Sequence, residues 1–319
     1  MKPSDRIFVA GHKGLAGSAI VRRLRKAGFN NLVLRERAQL DLTDQAAAAR
    51  FFETERPEHV FLAAARVGGI HANATYPAQF IRDNLAIQTN VIHSAYEAEV
   101  KKLLFLGSSC IYPKHALQPM SEDSLLTGRL EPTNEAYAIA KIAGMKMCEA
   151  YNKQFGTDFL CVMPTNLYGP NDNYDLSGSH VLPALLRKMH EAKEANLETV
   201  VVWGTGKPSR EFLHSDDMAD ACVYLMERYT AKRIGAFVNI GTGEGIQISG
   251  LATLIARVVG FHGRIQYDTS MPDGTPKKVL DMTRLHALGW RARIGLEAGV
   301  RSAYESFLAR AQRELPQTA

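Results

Sequence analysis

Residues 6–17 read RIFVAGHKGLAG, an apolar run that opens into three spaced glycines. Gly11, Gly14 and Gly17 form a GxxGxxG spacing between a predicted strand and a predicted helix. Glycines at such a turn let the backbone bend tightly and approach a pyrophosphate at the positive helix N-terminus. An ordinary glycine-containing turn is the plain alternative. On the dinucleotide reading, the contact residues are Gly11, His12, Lys13, Gly14, Leu15, Ala16 and Gly17.

The chain downstream decides between these. NLVLR (31–35), HVFLAA (59–64), KLLFLG (102–107) and DFLCVMP (158–164) alternate with helical stretches near 15–27, 44–54, 77–98 and 134–155. Nearly all-apolar strands alternating with helices predict an α/β fold. The expected form is a Rossmann-type, doubly wound parallel sheet with a smaller C-terminal substrate-binding lobe. After Pro170 the pattern loosens into the polar, turn-rich NDNYDLSGSH. VVVWG and FVNIGTG read as further strands, and VLPALLRKMHEA and DDMADACVYLMER as helices. The expected division is 1–170 plus 213–261 for the nucleotide-binding domain, and 171–212 plus 262–319 for the lobe.

Composition excludes several classes. With 319 residues, 46% hydrophobic and 22% charged, the chain can bury a large core and is not disordered. The net charge of +5 is spread over scattered basic residues, so no nucleic-acid arm is expected and an anionic small molecule suits it. Cys110, Cys148, Cys161 and Cys222 show no metal-like spacing. Reduced thiols in a cytoplasmic protein are the simplest expectation. MKPSDRIFVAG enters a strand with no signal-like apolar region, and no run approaches the roughly 18 apolar residues of a membrane span.

The second strand should end beside the adenosine ribose. NAD enzymes place an acid there for the 2′-hydroxyl. Here the residues are Arg35, Glu36 and Arg37. Arg37, with Lys13, can clamp a 2′-phosphate through charge-assisted bonds, which predicts NADP(H). Glu36 keeps NAD open. Asp41 and Leu42 are placed to flank the adenine.

EAYAIAKIAG puts Tyr137 and Lys141 four apart, on one helix face. A phenol ordinarily has a pKa of about 10, and a neighbouring ammonium should lower it. Such a tyrosine moves a proton at a carbonyl or alcohol. Ser108, at the end of the KLLFLG strand, is placed to bond the same oxygen. The three together point to hydride transfer at a sugar-like carbon.

This combination resembles the extended short-chain dehydrogenase/reductase family of nucleotide-sugar epimerases and reductases. The resemblance runs nearly end to end through AGHKGLAGSAI, FLGSSCIYP, EPTNEAYAIAKIAG, VMPTNLYGPNDN, SHVLPALL, VVWGTGKPSREFLH and PDGTPKKVLD. It implies an NADP(H)-dependent, bifunctional 3,5-epimerase and 4-reductase acting on a GDP-deoxyhexose, and a homodimer packed through the 77–98 and 134–155 helices. Ser108, Tyr137 and Lys141 are the implied reduction set, and Cys110 and His180 the implied epimerisation pair. Two titratable groups on opposite ring faces suit inversion beside a ketone, with Cys110 as base and His180 as acid. The implied cofactor contacts are Leu106, Gly107, Ser108, Lys141, Pro164, Asn166, Leu167 and His180. The implied substrate contacts are Lys188, Trp203, Arg210, Asp273 and Lys278.

Lys13 stands where related sequences often carry Arg, and an ammonium holds a phosphate less rigidly than a guanidinium fork. Rival readings are a reductase without inversion, a 4-epimerase, a relative acting on a 3,6-dideoxy ketosugar, and a non-catalytic NADP sensor.

Overall fold

A computed structural model describes residues 1–176, 178–271 and 273–314. The first half runs β1 (Ile7–Ala10), α1 (Leu15–Lys26), β2 (Leu32–Val33), α2 (Gln45–Glu55), β3 (His59–Leu62), α3 (Ile70–Thr75), α4 (Pro77–Glu97), β4 (Lys102–Leu106), α5 (Glu135–Phe155) and β5 (Phe159–Pro164). The second runs β6 (Asn166–Tyr168), α6 (Val181–Glu194), β7 (Thr199–Trp203), β8 (Ser209–His214), α7 (Ser215–Arg228), α8 (Ala231–Ile234) and β9 (Val238–Ile240). It ends with β10 (Gly245–Gln247), α9 (Ile248–Val259), β11 (Arg264–Asp268), β12 (Lys277–Lys278), α10 (Thr283–Ala287) and α11 (Leu296–Glu314).

Six strands form one parallel sheet in the order β2-β1-β3-β4-β5-β9. The order turns back between β1 and β3, and ligands of open α/β sheets bind outside the carboxyl ends of strands at such a point. Every residue of β1, β3 and β5 is buried, as helices on both faces require. Local chemistry sets the helix ends. Asp44 accepts from Ala47 N–H to start α2, and Gly156 ends α5 in the left-handed region.

The remaining strands lie outside this sheet. β10, β8 and β12 pair in that order, with β6 on β8, and β7 pairs with β11. Buried apolar side chains fall into two clusters. The first surrounds the six-stranded sheet and includes Leu280, Met282, Leu285, Leu288 and Trp290. The second joins Leu182, Leu185, Leu186 and Met189 of α6 to Leu251, Ala252 and Ile255 of α9 and to Val300 and Ala303. The apolar face of α9 therefore packs in the second cluster, and 280–290 in the first. Periodicity shows that α9 has an apolar stripe but not which core receives it. Among the described residues, no helix is long and apolar enough to cross a membrane, and no group of three or more His, Cys, Asp or Glu could hold a metal ion.

Candidate active site

Gly11 leaves β1 at φ +81, and a Cβ there would stand 2.9 Å from Ala64 Cα. Gly17 lies against the Gly11 carbonyl, where a side chain would collide. These contacts bring α1 close to the strand ends. Gly14 caps α1 without a side chain, and the first turn carries no acid. The first amides of the helix are thus free to meet an anion. A cleft of about 360 Å3 opens here, lined by Gly11 to Gly14 and Arg35 to Ala38. His12 Nδ1 is buried without a partner.

The basic residues of this cleft are not idle. Lys13 Nζ lies 2.5 Å from Glu36 Oε1, and Arg37 reaches Asp41 at 3.4 Å. Arg35 pairs with Glu55 at 2.5 Å. The Lys13 ammonium holds the Glu36 carboxyl below the usual range. Asp41 also accepts from Thr43 N–H and Oγ1–H, and Leu42 is buried with its carbonyl held by Asn90.

Ser108, Tyr137 and Lys141 meet at the carboxyl end of β4. Ser108 lies beside the Tyr137 phenol, and its Oγ accepts from Cys110 N–H at 3.2 Å. That bond starts a 3-10 turn over Ser109–Ile111, so the chain leaves the extended conformation after Ser108. Tyr137 differs from expectation as well: burial and the adjacent Cys110 push its phenol up, not down. The reason is where Lys141 sits. Its Nζ donates to the Leu106 carbonyl at 2.8 Å and lies 5.8 Å from the centre of the Tyr137 ring. Burial pushes that ammonium down to about 8. Tyr137 is therefore held as a neutral phenol, the form that donates a proton.

Cys110 is half-buried, and two donors point at its sulfur. Asn134 Nδ2 lies 3.3 Å from Sγ and Lys278 Nζ 3.4 Å from it. Lys278, expected to contact substrate, thus sits on the thiol. His180 opens α6, but its side chain makes no capping bond, which leaves the ring free. It is exposed at the start of that helix, and surrounding protein together with Lys278 keeps its imidazolium disfavoured. Gly69 N–H donates to the Gly178 carbonyl at 2.9 Å, and Gly69 lacks the Cβ that would stand 2.6 Å from the Ser179 carbonyl. This close approach fixes the segment that leads into His180.

Pro164 ends β5, and Asn166 spends its amide on the Glu211 carbonyl at 2.8 Å, with Leu167 beside it in β6. Leu106 and Gly107 end β4, where Gly107 N–H donates to the Val162 carbonyl. In the second lobe Lys188 Nζ stands 5.2 Å over the half-exposed Trp203 ring. Arg210 and Lys278 face each other in register on β8 and β12. Both oxygens of Asp273 accept from Thr205, at 2.7 Å each, and so tie down the 204–207 turn. Sequence reasoning passed over Asn134. Its signal is position, three residues before Tyr137 and at the start of α5.

The sequence profile of the NAD dependent epimerase/dehydratase family matches residues 7–241. GDP-L-fucose synthase 1 of Arabidopsis thaliana is 60% identical over 305 residues, which cover 96% of this chain and 94% of that protein. GDP-L-fucose synthase of Escherichia coli K12 is 57% identical over 310 residues, 95% of this chain and 97% of that one. Among solved structures, the GDP-mannoheptose C4 reductase MlghC of Campylobacter jejuni, with NADP bound, superposes with a TM-score of 0.90. It is 43% identical and the match covers 97% of this chain and 99% of that one. With a profile matching well over half its length and two relatives above half identity, the chain belongs to the NAD dependent epimerase/dehydratase family.

Proposed function

We propose that this enzyme converts GDP-4-dehydro-6-deoxy-D-mannose to GDP-L-fucose, inverting C3 and C5 and then reducing C4, with NADPH as reductant. The full-length relatives named for GDP-L-fucose synthesis support the overall reaction. The observation that carries the site assignment is Cys110 Sγ beneath two donors, one turn away from the Ser108–Tyr137 pair. A pure reductase needs no such thiol.

The open start of α1 and its cleft fit a dinucleotide pyrophosphate, with Gly11 to Gly17 as the cradle and Lys13 and Arg37 toward a 2′-phosphate. When bound, NADPH supplies the hydride for C4. The residues of the chain do the rest. Cys110, as thiolate, takes the proton from C3 and from C5, each acidified by the C4 ketone. Asn134 and Lys278 donate to this sulfur and fix its position. His180 relays a solvent proton to the opposite ring face, and the proton taken by Cys110 passes to solvent before the second inversion. Tyr137 then gives its phenol proton to the C4 oxygen, with Ser108 holding the same oxygen. Lys141, anchored on Leu106, would hold the nicotinamide ribose. Leu106, Gly107, Pro164, Asn166 and Leu167 line the nicotinamide side. Lys188 and Arg210 suit the diphosphate, and Trp203 offers a face for guanine.

The functional division follows the two cores, with α9 in the substrate lobe and 280–290 in the nucleotide domain. Two copies pair through α4 and α5, whose exposed Ile139 and Phe155 support an apolar contact; sedimentation velocity at working concentration should give a dimer, and a monomer would refute this. Four free thiols suit the cytoplasm.

Incubation with GDP-4-dehydro-6-deoxy-D-mannose and NADPH, followed by NMR of the sugar, tests the reaction. GDP-L-fucose is expected. GDP-rhamnose would mean reduction without inversion and would overturn the epimerase half.

A further inference from the structure

A small cavity of about 40 Å3 lies beside Cys110, and Lys114, Glu131, Asn134, Thr275 and Lys278 are among its lining residues. The roles proposed above leave Glu131 with none. Its carboxylate touches two segments at once. One oxygen accepts from Thr133, from N–H at 3.4 Å and from Oγ1–H at 3.3 Å, and so starts the 3-10 turn Pro132–Asn134. The other accepts from Thr275 Oγ1–H at 3.4 Å and pairs with Lys114 Nζ at 3.0 Å. Each segment then supplies a donor to the same sulfur. Asn134 closes the turn, and Lys278 follows Thr275 by three residues. Burial opposes ionisation of the Glu131 carboxyl, yet Lys114 and Thr133 hold it below the usual range.

We propose that Glu131 is a positioning residue for inversion: by bonding Thr133 and Thr275 together it sets the spacing of the two segments whose Asn134 and Lys278 hold the Cys110 sulfur. This rests on the reading of Cys110 as the base. Glu131 and Thr275 are 144 residues apart in the chain, so the bond between them is a tie between distant segments. The chemistry asks for a carboxylate. Two segments need two acceptor oxygens, and a glutamine offers one. It can keep Thr133 or Thr275 but not both, and Lys114 loses its charged partner.

The full-length Glu131→Gln enzyme, given GDP-4-dehydro-6-deoxy-D-mannose and NADPH in deuterium oxide, tests this. Deuterium entry at C3 and C5, read by NMR, should fall about ten- to hundredfold in kcat with KM within about twofold, since the base is displaced and the substrate contacts are kept. Loss of reduced nicotinamide should slow by no more than about threefold. Thr275→Val should lower deuterium entry severalfold in the wild-type background and by less in Glu131→Gln, because the two changes break one tie. Wild-type deuterium entry in Glu131→Gln, a raised KM with unchanged kcat, or losses that multiply in full would each overturn the proposal and leave Cys110 as the base. If Glu131→Gln does not fold, Thr275→Val decides alone: it should show the same split between kcat and KM, and a wild-type rate overturns the proposal. Wild-type deuterium entry in Cys110→Ser overturns instead the reading on which the proposal rests.

Discussion

Tyr137→Phe is expected to slow reduction at C4 by about 10²–10⁴-fold, the usual contribution of a positioned proton donor, while solvent deuterium still enters C3 and C5. The argument rests on the form of the side chain. Burial and Cys110 hold the phenol neutral, and Ser108 aims it. Phenylalanine keeps the ring and its edge contact with Phe80, whose centre lies 6.4 Å away, but has no proton to give. The two rates are read separately, as loss of reduced nicotinamide and as deuterium incorporation by NMR. Reduction within about twofold of wild type would remove Tyr137 from the chemistry.

Cys110→Ser should produce the opposite pattern. Deuterium entry at C3 and C5 should fall by on the order of 10²–10⁴-fold, and the reduced product should be the uninverted 6-deoxyhexose. Serine keeps the volume and leaves Asn134 and Lys278 their contact, so the fold and the local charge survive. What is lost is an acidic hydrogen: a hydroxyl yields its anion far less readily than a thiol. Wild-type deuterium entry in this variant would take the base role away from Cys110. Together the two variants separate the reactions, since each abolishes one and spares the other.

Much of this was readable before any coordinates. RIFVA, HVFLAA, KLLFLG and DFLCVMP all became strands of the parallel sheet, because continuous apolar runs between helices have few other places to go. NLVLR shrank to the two residues of β2, at the sheet edge. The short strands β6, β8, β10 and β12 were hidden or misplaced, since long-range pairing and not local pattern makes them. At the site, residue types and spacing singled out Ser108, Tyr137 and Lys141, and the family resemblance added Cys110 and His180. They did not reveal which polar groups were already engaged. Lys141 is committed to Leu106, Lys278 to the thiol, Asp273 to Thr205 and Lys13 to Glu36. Those commitments depend on distances between segments far apart in sequence, and they reverse the expected direction for Tyr137.

The placement of His180 has a mechanical side. Ser108, Cys110, Tyr137 and Lys141 all stand on elements of the sheet's own core, whereas His180 begins α6, whose apolar face belongs to the other. On the roles proposed above, reduction draws its reacting groups from one core and inversion from both. Beside the histidine the backbone of Gly69 meets Gly178 and Ser179. Inversion therefore asks for alignment between reacting groups of two cores, where reduction does not. Handedness of the product is therefore a gauge of the joint between them.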